Sequence, residues 1–198
     1  MITTYLLFLL TTYLIAAVPF GLFLTKIFTD KDIRDHGSKN IGATNVARVV
    51  GKKLGLATLI LDGIKGAFMV LLATIIFKNE QNIHALLAIV AGVAVIGHIF
   101  PIYLKFKGGK GVATTLATLL ALNPIIGIAT LLTWIIVFLI FRISAAASLI
   151  SILASILTSI FYGAPLAQII LCFILFLLIL YRHKENISRL LQGKENKV

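Results

Sequence analysis

Between residues 112 and 181 a single charged residue, Arg142, interrupts an otherwise uncharged and largely apolar chain. In a bilayer core there is no water to satisfy backbone polar groups, and only a helix satisfies them within one segment. The rest of the sequence reads the same way. Hydrophobic residues make up 60% of the 198 residues, charged residues only 13%, and mean hydropathy is +1.06. These values lie outside the range of soluble globular domains.

A hydrocarbon core of ~30 Å calls for about 20 residues of helix. Residues 2–25 supply one such run. Residues 54–77 supply a second, interrupted by Asp62 and Lys65, and residues 83–104 a third. The stretch from Lys78 to Asn82 is long enough only to turn between the last two. The first run has no basic segment ahead of it and no small-residue cleavage pattern behind it, so it is expected to be a retained span.

Lys and Arg total 18 against 7 Asp and Glu, a formal charge of +11. In a soluble protein that excess would suggest nucleic acid. In a membrane protein it marks the cytoplasmic loops, and no nucleic-acid partner is expected. Seven cations, from Lys26 to Lys53, lie between the first two runs, and Lys78 alone lies between the second and third. The first loop is therefore expected inside and the N-terminus outside. Lys105, Lys107 and Lys110 then fall inside, as does the basic tail after Tyr181.

An inside tail requires residues 112–181 to cross an even number of times. Asn123-Pro124 and Gly163-Ala164-Pro165 are breakers, and with Arg142 they divide the stretch into pieces of roughly 12, 18, 20 and 17 residues. Four crossings give seven membrane helices, with five longer ones as the alternative. The first piece would rise only ~18 Å and needs neighbouring helices or a thinned bilayer. The expectation is an all-α polytopic membrane protein, one domain over residues 1–198, acting as a monomer. Cys172, the only cysteine, can form no internal disulfide.

Three polar clusters share the expected inner face. The first runs from His36 to Arg48: Gly37 and Gly42 free backbone N–H groups, and Ser38, Asn40, Thr44 and Asn45 supply short polar groups beside Lys39 and Arg48. That is phosphate-binding chemistry, or else an ordinary polar loop. The second is Gly97-His98-Ile99-Phe100-Pro101 followed by Lys105-Phe106-Lys107-Gly108-Gly109-Lys110-Gly111. Glycines and lysines just ahead of a helix can lay an anion on its N-terminus. It is not a Walker A loop, because Leu104 stands where glycine would be needed. The third runs from Arg182 and His183 through Asn186 and Arg189 to Glu195, and alone would be a basic anchor. Asp62 and Lys65, spaced i, i+3 within a span, can pair, in a structural or a catalytic role.

In these clusters the sequence resembles the PlsY glycerol-3-phosphate acyltransferases. The family pattern Ser-Gly-Asn-Pro-Gly-Ala-Thr-Asn-Val, then Arg, is matched by Ser38 to Val46 and Arg48 except at Lys39 and Ile41. The pattern Gly-His-x-Phe-Pro with Phe-Lys-Gly-Gly-Lys-Gly-Val-Ala-Thr is matched throughout by Gly97 to Pro101 and Phe106 to Thr114. Arg-His-x-x-Asn-Ile-x-Arg-Leu, with Gly and Glu after it, is matched by Arg182, His183, Asn186, Ile187, Arg189, Leu190, Gly193 and Glu195. The two departures replace a family Gly and Pro, so this chain must make that turn by other means.

The resemblance implies transfer of a fatty acyl group from acyl-phosphate to the 1-hydroxyl of glycerol 3-phosphate, giving lysophosphatidic acid and inorganic phosphate, at the inner face of a bacterial plasma membrane. On that reading Ser38, Arg48, His98, Lys107, His183 and Asn186 are the candidate catalytic residues, with Ser38, Arg48 and Lys107 gripping glycerol 3-phosphate. Lys39, Asn40, Gly42, Thr44, Asn45, Lys105, Gly108, Gly109, Lys110, Gly111 and Arg189 are candidate substrate contacts, and Asp62, Lys65 and Glu195 structural groups. The Gly108–Gly111 loop would hold the acyl-phosphate head, its chain lying between apolar helices. No metal or organic cofactor is expected, since the four histidines are scattered.

Many glycerolipid acyltransferases use a His-x-x-x-x-Asp pair, but five residues after His36, His84, His98 and His183 stand Ile41, Ile89, Tyr103 and Ser188. The base candidates are therefore His98, His183 or a substrate phosphate. A phosphate transporter or a non-catalytic lipid-binding protein is the rival class, disfavoured because the polar residues lie almost all on one face.

Overall fold

The computed structural model describes residues 2–197, and among them there are ten α-helices and no β-strand. The first apolar run divides into α1 (Ile2–Ala16) and α2 (Phe20–Thr29). Proline disfavours helix in the residue before it and has no N–H to donate, so the chain breaks at Val18-Pro19. The expected span of residues 2–25 is present as one crossing segment, interrupted at Pro19 and continuing to Thr29. The first loop contains a single 3₁₀ turn (Ile33–Asp35) and a short helix, α3 (Ala43–Val49).

Then follow α4 (Lys52–Ile76), α5 (Ile83–Ile99), α6 (Val112–Leu122), α7 (Pro124–Phe141), α8 (Ser144–Tyr162), α9 (Leu166–Arg182) and α10 (Lys184–Leu191). The boundaries around Asn123-Pro124 have a local cause: Asn123 Oδ1 accepts from the N–H groups of Ile125 and Ile126 at 3.1 and 3.4 Å, and Pro124 takes the first helical position. Between α9 and α10 the chain bends by 65°.

Five segments are long and apolar enough to cross a bilayer: α1 with α2, α4, α5 with its following turn, α7 and α8. The bent pair α9–α10 makes a sixth, and α6 is a short apolar helix beside them. Lipid offers no hydrophobic drive for helix pairing, so close approach through small residues holds such bundles together. Here α4 lies against α6 at Gly63, which faces Ala117, and at Gly66, which faces the methyl groups of Thr114 and Thr118. Thr114 Oγ1 donates to the Asp62 carbonyl across the same crossing, at 2.8 Å. The apolar centre joins α4, α5 and α9 through Met69, Val70, Ala73, Val90, Val95 and Leu175.

Candidate active site

The first loop is organised by one side chain. Asn45, almost fully buried, accepts from the Ser38 N–H at 2.8 Å and donates to the carbonyls of Ile33, His36 and Asn40. Its amide is thus engaged with loop backbone. Asn40 Oδ1 in turn takes the Gly42 N–H at 2.8 Å. Lys39 adopts the left-handed conformation, φ 57°, at the position where the family pattern has glycine. That is how this chain makes the turn without glycine, at a cost of roughly 1–2 kcal/mol for a residue with a Cβ. Ile41, at the family proline, fills the apolar cluster of Leu22, Ile33 and Val46.

The glycine loop folds back along the end of α5. Lys105 and Phe106 are both left-handed, φ 51° and 63°, which reverses the chain. The N–H groups of Gly108 and Gly109 then reach the carbonyls of Ile99 and His98 at 3.1 and 3.2 Å. Arg182 of α9 clamps the loop from the far side, its guanidinium donating to the Gly108 carbonyl at 3.0 Å. Gly109 rests directly on the His98 imidazole: a Cβ there would collide with Nε2.

These elements enclose a cavity of about 230 Å³. The first loop contributes Ser38, Asn40, Gly42, Thr44, Asn45 and Arg48; α4 contributes Leu59 and Asp62, and α5 contributes His98. Lys110, Gly111 and the start of α6 form another wall, with His183, Asn186, Arg189 and Glu195 opposite. The N-termini of α6 and α8 both open onto it, adding partial positive charge to that of the cations.

The third cluster is wired together. Lys110 donates from Nζ to Asn186 Oδ1, Asn186 Nδ2 donates to Glu195 Oε1 at 2.7 Å, and Arg189 Nε pairs with Glu195 Oε2 at 2.7 Å. Burial pushes Lys110 down to about 8, although Glu195 opposes the shift. At neutral pH the ammonium is still mostly charged. His183 occupies the bend between α9 and α10 and is buried. Its Nδ1 lies 2.8 Å from the Ile179 carbonyl, which can only accept, so in the neutral ring Nδ1 carries the proton and Nε2 keeps a lone pair.

Three expected contacts lie elsewhere. Lys39, Lys105 and Lys107 are exposed and do not border the cavity. The reversal at Lys105-Phe106 leaves Lys107 on the outside, and Lys110 is the lysine of this loop that reaches in. Gly108 and Gly109 support the cavity from behind, through His98 and the ends of α5. Lys65 is also behind it, donating to Asp62 Oδ1 at 2.9 Å and to the Val18 carbonyl at 2.8 Å. That second bond caps the broken end of α1.

Sequence reasoning missed Ser144 and Ser148, which line the cavity from α8. Ser144 Oγ lies 3.1 Å from Thr44 Oγ1 and ties α8 to the first loop. Their i, i+4 spacing directly after Arg142 was the available signal. Leu59 and Asp62, one helical turn apart on α4, also reach the cavity, Leu59 with 43% of its surface exposed.

The apolar bundle and its cation-lined cavity define an integral membrane protein with a site suited to an anion. The chain belongs to the glycerol-3-phosphate acyltransferase family, whose sequence model matches residues 6–193. A glycerol-3-phosphate acyltransferase of Wolbachia pipientis subsp. Culex pipiens is 43% identical over 189 residues, 96% of each chain. That of Paramagnetospirillum magneticum is 45% identical over 94% of this chain and 90% of its own. The crystal structure of PlsY, an integral membrane glycerol 3-phosphate acyltransferase, in its glycerol 3-phosphate form superposes with a TM-score of 0.92 at 35% identity, covering 98% of this chain and 96% of that one. Its lysophosphatidic acid form gives 0.89 at 34% identity.

Proposed function

We propose that this acyltransferase moves a fatty acyl group from acyl-phosphate to the sn-1 hydroxyl of glycerol 3-phosphate, releasing lysophosphatidic acid and inorganic phosphate. It would act as a single domain and a monomer. One observation carries the reading: a single cavity joins Arg48, Lys110 and Arg189 to two helix N-termini, with the apolar side chain of Leu59 on its wall. A doubly charged phosphate suits the first set, and an acyl chain suits the second. The solved relatives with glycerol 3-phosphate and with lysophosphatidic acid support both halves.

Ser38, Arg48, Lys110 and Asn186 hold the acceptor phosphate on this reading, with Lys110 in the place first given to Lys107. The acyl-phosphate head lies at Gly111 and the α6 N-terminus, whose N–H groups face the oxyanion that forms on attack. The acceptor oxygen bonds to the acyl carbon, the anhydride C–O bond breaks, and the leaving phosphate takes away the hydroxyl proton. An activated mixed anhydride asks the protein mainly for position and charge neutralisation. His98 is one candidate base, its Nδ1 buried without a hydrogen-bond partner and Gly109 lying close to its Nε2. His183 is the alternative that must be excluded by measurement.

The membrane arrangement that accompanies this chemistry has seven helices, α6 among them, with the N-terminus outside and the cavity facing the cytoplasm across a bacterial inner membrane. The cation distribution supports it. Cysteine labelling in a Cys172→Ala background tests it: a Cys at Lys194 that reacts only from outside would reverse the topology.

The reaction itself is tested with purified protein in detergent. Acyl-phosphate and glycerol 3-phosphate should give 1-acyl product and inorganic phosphate, and acyl-thioester donors should give none. Transfer from a thioester but not from acyl-phosphate would sink the donor assignment. His183→Gln should keep turnover and its pH-dependent limb near the phosphate pKa; loss of that limb with binding intact would make His183 the base.

A further inference from the structure

We infer that the break in the first span opens a binding site for an anionic phospholipid of the surrounding bilayer, with its phosphate on Lys26. The site shares no residue with the cavity described above. It rests on the membrane character of the bundle and not on the acyl-transfer reading.

The break creates the space. α1 is held to α5 down to its last turn: Tyr13 donates to the Phe100 carbonyl at 2.7 Å, and Gly97 lies against the backbone of Tyr13 and Ala17. Beyond Pro19 the chain leaves that partner. α2 sets Gly21 on the Ile41 carbonyl and the Thr58 methyl group, so it leans on the first loop and α4 instead. Between α2 and the turn that follows α5 a notch of about 550 Å³ is left. Val18, Leu22, Phe23 and Ile27 form one side, and Tyr103 and Leu104 the other. The break is anchored, since the Val18 carbonyl accepts from Lys65 at 2.8 Å.

The lining points to one kind of occupant. Lys26 is its only charged residue, and no acidic side chain is among the rest. The apolar side belongs to the crossing segment Ile2–Thr29, where no hydrophobic drive closes a gap between helices. A lipid chain in the notch regains the dispersion contacts that an unfilled gap forfeits.

Lys26 lies in the last turn of α2, near the end of that segment. Its one ion pair among the described residues is with Asp32, at 3.8 Å, and Arg34 Nε already grips Asp32 at 2.9 Å. The lysine side chain stays 56% exposed. Its ammonium protons are therefore available to a stronger acceptor, and a phosphodiester oxygen above apolar chains is one. Tyr103, across the notch, is a residue type enriched at membrane interfaces. A zwitterionic lipid brings a cation of its own beside Lys26 and gains less. One lysine near the surface should favour the anionic lipid by about fivefold.

The test reads lipid contact at the notch. Phe23→Trp in a Trp134→Phe background leaves one tryptophan, at an exposed notch position. In the reconstituted protein its fluorescence is quenched by brominated phosphatidylglycerol or brominated phosphatidylcholine. Half-quenching should need about fivefold less of the first lipid than of the second. Lys26→Gln should remove that preference. Ile136→Trp in the same background, exposed on α7, reports ordinary bilayer contact and should show none. Arg48→Ala, in the cavity, should leave the preference at the notch as it was.

Equal quenching by the two lipids at position 23, or the same preference at position 136, would overturn the inference and leave ordinary bilayer contact. A preference that survives Lys26→Gln would take the phosphate off that lysine. Its loss in Arg48→Ala would make the notch part of the reaction cavity. If the Trp134→Phe background does not fold, native mass spectrometry of the unaltered protein carries the test: one anionic phospholipid should be retained, and Lys26→Gln should release it.

Discussion

The two ends of the bundle are built to different rules. At one end meet the first loop, the glycine loop and α10, with two helix N-termini pointed at a cavity and hydrogen bonds linking residues far apart in sequence. At the other, α4 and α5 are joined by a tight turn and α8 and α9 by Gly163, which caps α8 with φ 72°. The second end only reverses the chain. The cations of the cavity thus gather at the first end, and Asp62 with Lys65 are a charged pair buried within the span α4.

The sharpest way to break this contrast is to strand one of the buried pair. Lys65→Met leaves the Asp62 carboxylate uncompensated and the Val18 carbonyl unpaired, which should destabilise the protein by about 3–5 kcal/mol. Thermal unfolding in detergent measures it. An unchanged midpoint would mean that Asp62 is satisfied by water from the cavity. Lys78→Ala, in the turn at the opposite end, is the reference and should leave the midpoint where it is.

A smaller effect separates two lysines three residues apart. Lys110→Ala should weaken glycerol 3-phosphate use by roughly 1.5–3 kcal/mol, or about ten- to a hundredfold in kcat/KM. Lys107→Ala should stay within a factor of about two, because its side chain is outside the cavity. The reverse ranking would show that the loop turns over when substrate binds.

The pH profile sharpens the same point. With Lys110 at about 8, its charge is present below that pH and lost above it, so kcat/KM for glycerol 3-phosphate should fall above pH 8. Lys110→Ala should lack that limb. Unfolding cannot imitate it: a lysine depressed in the folded state binds more protons when unfolded, so its contribution to stability rises between about pH 8 and 10.5.

The mildest change acts on the first loop. Lys39→Gly relieves the left-handed strain and should stabilise the protein by about 1 kcal/mol, with turnover unchanged. A lower melting point would mean that the lysine side chain makes up the strain by a contact of its own.

Much of this arrangement is legible in the sequence, for reasons that differ from place to place. The breakers at Asn123-Pro124 and Gly163-Ala164-Pro165 mark helix ends because their backbone preferences are local. Pro19 carries the same kind of signal and breaks the first span, yet the length of the apolar run masks it. The residues Ser38, Arg48, His183 and Asn186 come together because loops at one end of a bundle must meet. The choice of Lys110 over Lys107 depends on two left-handed residues, Lys105 and Phe106, that no local propensity demands. The pairing of Ser144 is hidden for a different reason: Thr44 is 100 residues away, and only the tertiary fold brings the two together.

The position of Leu59, apolar, exposed and on the cavity wall, bears on traffic rather than chemistry if the acyl-transfer reading holds. On that reading, a lipid chain seated there would arrive and depart along apolar surface without being lifted into water. At about 0.8 kcal/mol for each methylene, a passage through water would cost a chain of about ten carbons roughly 8 kcal/mol, enough to throttle release. On the acyl-transfer reading, an apolar wall of this kind would let the lipid side of the reaction travel in two dimensions while the phosphate side exchanged with solvent, and the enzyme would work as a seam between two phases.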